Sequence, residues 1–108
     1  MSWSIKQGST APNVSYRLRR SDGSYVTGLA AATSILFRMQ HRATNRLVVN
    51  AEMTVVNAAL AEVRHGWTAG QTDILGEYDV QINVTFSGGT IEKFPSEGFE
   101  ELIVVRAI

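Results

Sequence analysis

The chain has 108 residues, with hydrophobic residues at 44% and charged residues at 19%, which is globular composition and excludes the polar, highly charged regime where disorder wins. That length fits one domain, taken as residues 1–108. There is no cysteine, so disulfides, thiolate metal sites and thiol nucleophiles are excluded and stability must come from packing.

The net charge is zero, yet residues 1–50 hold seven Lys or Arg against only Asp22, and residues 51–108 hold three against nine acids. The halves are formally +6 and −6. If they separated in space the molecule would be dipolar and could stack on copies of itself. The stronger expectation is that antiparallel strands interleave the halves, so that the charges become cross-strand pairs.

Alternating apolar and polar residues, the mark of a half-buried strand, recur in short blocks. Trp3 to Lys6 is the first, ended by Gln7-Gly8-Ser9. Asn13 to Arg19 is the second, with Val14, Tyr16 and Leu18 on one face and Ser15, Arg17 and Arg19 on the other. Ser21-Asp22-Gly23-Ser24 then predicts a hairpin-type turn, because Asp bonds its own backbone and Gly accepts positive φ. Ser34 to His41 alternates again, and Leu47 to Asn50 and Met53 to Val56 read as strands divided at Asn50-Ala51. Ala58 to His65 suits either a short helix with a glycine cap or a strand, and strand neighbours on both sides favour the strand.

Glu77 to Phe86 is the clearest strand, with Tyr78, Val80, Ile82, Val84 and Phe86 on one face, and it is predicted to be central. Gly88-Gly89 turns the chain into Ile91 to Phe94, which Pro95 ends because it cannot donate to a ladder. Leu102 to Ile108 is a last apolar strand, expected to be covered on both faces. Seven to nine short strands without crossover helices predict an all-β fold: a single immunoglobulin-like antiparallel β-sandwich of Greek-key type. Tyr78, just after Gly76-Glu77, sits where such sandwiches place their tyrosine corner.

Catalytic equipment is not legible. Gly88-Gly89 joins two strands rather than a strand and a helix, so it makes no phosphate loop. His41 and His65 lack metal-ligand spacing, and no G-x-S-x-G elbow occurs. Asp73, Glu77 and Asp79 could bring carboxylates to one loop mouth for calcium, but their spacing matches no EF-hand and Asp73 reads as a local cap. The expectation is no enzyme activity, no cofactor and no metal. The N-terminus shows no apolar run of signal-peptide type, and no stretch approaches the ~18 to 20 apolar residues of a span. Cytoplasmic synthesis and no membrane partner are expected.

Arginines at 17, 19, 20, 38, 42 and 46 form the notable basic population. With a pI near 6.7 and no interleaved aromatics, protein contact is favoured over nucleic acid. Trp3, Arg17, Arg19, Arg38 and Trp67 are therefore the candidate protein-interface residues, Trp being a common hot-spot type.

Several marks follow one another in order: Leu29 with small residues, Ser34 to Met39, Val48-Val49-Asn50, Val63 to Trp67, Thr72-Asp73, Gly76-Glu77-Tyr78, Gly88-Gly89-Thr90, and Phe94-Pro95 before a final apolar strand. This succession resembles the N-terminal immunoglobulin-like domain of phage baseplate upper proteins and related small tail or virion proteins. The resemblance implies a non-enzymatic sandwich that docks on other phage structural proteins, often anchoring fibre or receptor-binding proteins, and works as a homo-oligomer in the virion. Larger members continue into a helical and a further module, whereas this sequence stops at Ile108. The resemblance therefore bears on the docking domain alone. A receptor- or carbohydrate-binding sandwich and a capsid decoration or head-fibre protein are the alternatives.

Overall fold

The computed structural model describes residues 2–95 and 98–108. Glu97, one of the nine acids of the second half, lies outside the described residues. Nine strands appear among the described residues: β1 (Ser2–Lys6), β2 (Val14–Arg17), β3 (Ser34–His41), β4 (Arg46–Glu52), β5 (Thr54–Asn57), β6 (Glu62–His65), β7 (Gly76–Thr85), β8 (Ile91–Phe94) and β9 (Glu100–Val105). A single 3₁₀ turn, Leu29–Ala31, precedes β3. Two sheets pack together as a β-sandwich. One has the order β1-β9-β7-β3-β4 with β8 also paired to β7, and the other the order β2-β6-β5.

The strand order is that of an immunoglobulin-like sandwich. Chain positions B-E-D form the small sheet, and G-F-C-C′ form the large one. The last strand of that pattern is split. β8 pairs with Ile82–Thr85 and β9 with Gly76–Val80, along the same edge of β7. Proline lacks the N–H that a ladder needs, so the interruption falls just after Phe94, at Pro95.

β7 is central, with β3 on its other side over Ser34–His41. Its inward residues Tyr78, Val80, Ile82 and Val84 are buried, as are Phe37 and Met39 of β3 and Leu102 of β9. From the small sheet and its connections come Val14, Leu18, Val26 and Val63. Each such side chain contributes about 1.5 to 3 kcal/mol on leaving water, so period-2 burial on both sheets holds the layers together.

The Tyr78 hydroxyl donates to the Ile74 carbonyl at 2.5 Å, which closes the turn before β7 as a tyrosine corner does. Gly76, two residues before Tyr78, has φ +136°, and a Cβ there would lie 2.7 Å from His41 Nε2. The ring it would meet is fixed. Nε2 donates to Leu75 O at 3.1 Å, which leaves Nδ1 to accept from Thr44 Oγ1 at 2.9 Å.

The structure corrects several boundaries. Ala58 to Ala61 is a turn rather than strand: Asn57 Oδ1 accepts from Leu60 N–H, Ala61 takes φ +51°, and the strand begins only at Glu62. β4 does not divide at Asn50-Ala51. Its ladder with β3 runs to Glu52, and the change of sheet falls at buried Met53, whose N–H bonds Ile35 O at 2.7 Å. The sandwich is not wholly antiparallel, since β1 runs parallel to β9. β9 buries one face only, through Leu102 and Val104. The turn after β2 forms as predicted: Asp22 Oδ1 accepts from Ser24 N–H, and Gly23 takes φ +88°.

The two charge halves interleave. Arg42 reaches Glu77, Asp79 and Glu101, and Arg20 pairs with Glu92. These contacts are solvent-exposed and screened, so they set register more than stability.

Candidate functional site

The five candidate interface residues do not form one patch. Trp3 on β1 makes an edge contact with Tyr16 of β2, with ring centroids 5.7 Å apart. Tyr16 and its neighbours Ser15, Arg17 and Arg19 line an open cleft of about 490 Å³, together with Glu62 and Glu100. Trp3, Arg17 and Arg19 thus share one flank, where the edge of the small sheet meets the β1–β9 edge of the large sheet.

Arg38 lies elsewhere, on the outer face of the large sheet. It shares a small depression with Gln40, Leu47, Asp79, Gln81 and Phe99. Trp67 must be withdrawn as a surface anchor. It is only 6% exposed, its indole N–H donates to Pro12 O at 3.1 Å, and its ring packs edge-on against Phe37 and His65. Pattern alone could not separate a core tryptophan from an exposed one, because the residues around it are irregular rather than alternating.

The cleft brings in residues that the sequence did not single out. Tyr16 alternates with buried neighbours and reads as core, yet β2 ends its sheet, so the ring is left half-buried at the rim. Its hydroxyl donates to Glu100 Oε1 at 3.2 Å, linking the two sheets. Burial first, and then the Glu100 carboxylate, push the Tyr16 phenol up to about 12, so the hydroxyl stays protonated and remains a donor. On the far side Arg19 Nη2 donates to the Tyr25 hydroxyl at 2.9 Å, with its guanidinium carbon 4.8 Å from that ring's centroid. Tyr16, Tyr25, Glu62 and Glu100 are separated by up to 84 residues, and no local spacing signals their convergence.

His65 is a core group. It stacks on Phe37 at 4.4 Å and donates through Nε2 to Gln71 Oε1 at 3.0 Å. Burial holds its pKa below the ordinary imidazole value, more than the Gln71 bond raises it. The Asp73, Glu77 and Asp79 set is split, since Glu77 and Asp79 are both engaged by Arg42. Among the described residues no group of three or more His, Asp or Glu side chains is placed to hold a metal ion. No helix among them is long and apolar enough to cross a membrane.

The flank combines aromatic edges, guanidinium groups and two carboxylates on an open groove, which is the chemistry of a contact surface. No protein-family model matches the chain, and no curated protein matches it.

Proposed function

We propose that this chain is a phage virion structural protein of the tail or baseplate region, docking on other virion subunits and anchoring fibre or receptor-binding proteins. In this reading it is made in the host cytoplasm, acts in several copies within the particle and performs no chemistry. The observation that carries the docking role is the gathering of Trp3, Tyr16, Arg17 and Arg19 on one open flank. Tryptophan, tyrosine and arginine are the residue types that dominate binding energy at protein interfaces. The particular place in a virion is supported by the ordered succession of sequence marks from Leu29 to Phe94-Pro95.

The test is to purify particles, label the protein with a tag-directed probe at the exposed C-terminal Ile108, and image where the label sits. Symmetric labelling at a tail tip or baseplate is the expected result. Absence of the protein from washed particles would overturn the reading, and labelling over the head would replace it with the decoration or head-fibre alternative.

A receptor- or carbohydrate-binding module is the second reading, and a specific observation favours it. The Trp3–Tyr16 pair stands beside a cleft that also presents Glu62 and Glu100, and aromatic rings with carboxylates suit sugar hydroxyls and ring faces. Retention on immobilised glycans that Trp3→Ala abolishes with the fold intact would decide for it.

A further inference from the structure

We propose that the free edge of β2 is a strand-accepting slot, and that its occupant is an extended segment of a partner protein alternating acidic and apolar residues. This deepens the docking role proposed above and rests on it.

β2 stands at the end of its sheet, paired only with β6 among the described residues. In immunoglobulin-like sandwiches a first strand usually lies beside this position. Here β1 is instead committed to β9 in the other sheet. Hydrogen bonding shows which groups are left over. Leu18 N–H bonds Ala61 O at 2.9 Å, and Leu18 O accepts from Val26 N–H at 3.1 Å, so even-numbered residues of this stretch turn their backbone toward β6 and its continuation. An antiparallel strand directs alternate residues to opposite sides. The N–H and C=O groups of Ser15, Arg17 and Arg19 therefore point out from the free edge.

Two of the other edge strands, β4 and β5, are managed differently, whereas β1 and β8 pair in unbroken register. The ladder of β4 shifts register between Met39 and Gln40, and that of β5 between Val55 and Asn57, irregularities that twist an edge away from further pairing. β2 has no such shift in its register with β6, and a cleft of about 490 Å³ opens along it.

The side chains specify the occupant. Ser15 and Arg17 are exposed on the outer face, as is Arg19 just beyond the strand, while half-buried Tyr16 lies on the inner side against Trp3. An added strand places its own residues about 5 Å from these across the ladder. Alternate carboxylates would meet Arg17 and Arg19, and the intervening apolar side chains would cover Tyr16 and Trp3. Glu62, opposite Arg17 on β6, and Glu100, which accepts from the Tyr16 hydroxyl, also line this cleft, so the occupant's carboxylates are confined to the positions beside Arg17 and Arg19 and its residues facing Tyr16 and Glu100 are uncharged.

The test uses the purified full chain and a fluorescein-labelled eight-residue peptide alternating glutamate and valine, read by anisotropy. Binding is expected, with at least tenfold weakening for the glutamine–valine peptide and for the Arg17→Gln/Arg19→Gln double variant. Ser15→Pro removes one N–H that faces the slot, a substitution that edge strands tolerate. It should weaken binding at least tenfold while the melting temperature stays close to that of the parent. If Ser15→Pro does not fold, a peptide N-methylated at alternate residues supplies the same test on the unaltered protein. No binding of the glutamate–valine peptide, equal binding of the glutamine–valine peptide, or binding unaffected by Ser15→Pro or by N-methylation would each overturn the proposal. Particle imaging tests the virion reading separately, so either can fail while the other stands.

Discussion

Gly76→Ala perturbs the molecule at a point where two costs can be separated. At φ +136° the backbone is in territory that a Cβ disfavours, which costs about 1 to 3 kcal/mol. The new methyl would also lie 2.7 Å from His41 Nε2, well inside ordinary contact. The ring must give way, and Thr44 and Leu75 O hold it on both nitrogens. Losing the bond to Leu75 O adds about 1 kcal/mol. The sum, about 2 to 4 kcal/mol, corresponds to a fall in melting temperature of roughly 10 to 20 °C for a domain of this size. Urea denaturation followed by tryptophan fluorescence measures it, because Trp67 is buried. In a His41→Ala background the steric part vanishes and only the backbone part remains, so the double-mutant cycle should show a coupling of about 1 kcal/mol. A Gly76→Ala variant within 0.5 kcal/mol of the parent, roughly the usual scatter of surface substitutions, would refute the strain argument. An additive cycle would refute the role of His41.

Tyr78→Phe should cost about 1 to 3 kcal/mol, since it leaves the Ile74 carbonyl without the hydroxyl it accepts from; thermal denaturation reads the loss. The burial-lowered pKa of His65 makes stability flat above the unfolded imidazole value near 6.5. Below that pH the unfolded chain takes up a proton that the folded chain refuses, so stability falls until the lowered folded pKa is reached. Urea midpoints from neutral to mildly acidic pH should decline more steeply for the parent than for His65→Phe, and equal slopes would disprove this. Trp67→Phe removes the bond to Pro12 O and core volume, and is expected to destabilise by about 2 kcal/mol without altering partner contact. Trp3→Ala should do the reverse, weakening partner binding in a pull-down while the melting point moves less. Arg42→Ala should change the melting temperature little, and still less in high salt, because its three carboxylate contacts are exposed.

The strands were legible in the sequence wherever one face is buried and the other wet. Ser34 to His41 and the run beginning at Glu77 declare themselves because a period of two has a single physical cause, the alternation of side chains across a pleated sheet. The Asp22-Gly23 turn and the Tyr78 corner were legible for a similar reason, since each depends on side chains within a few residues of the backbone they satisfy. What only the tertiary structure decided is how the strands neighbour one another. Parallel pairing of β1 with β9 leaves the β2 edge free, and that edge makes Tyr16 a rim residue and gathers Trp3, Arg17, Arg19, Glu62 and Glu100 around one cleft. Trp67, by contrast, was drawn into the core. Alternation says which way a side chain points from its own strand, but sheet order depends on contacts between residues distant in the chain, and this surface is a product of that order.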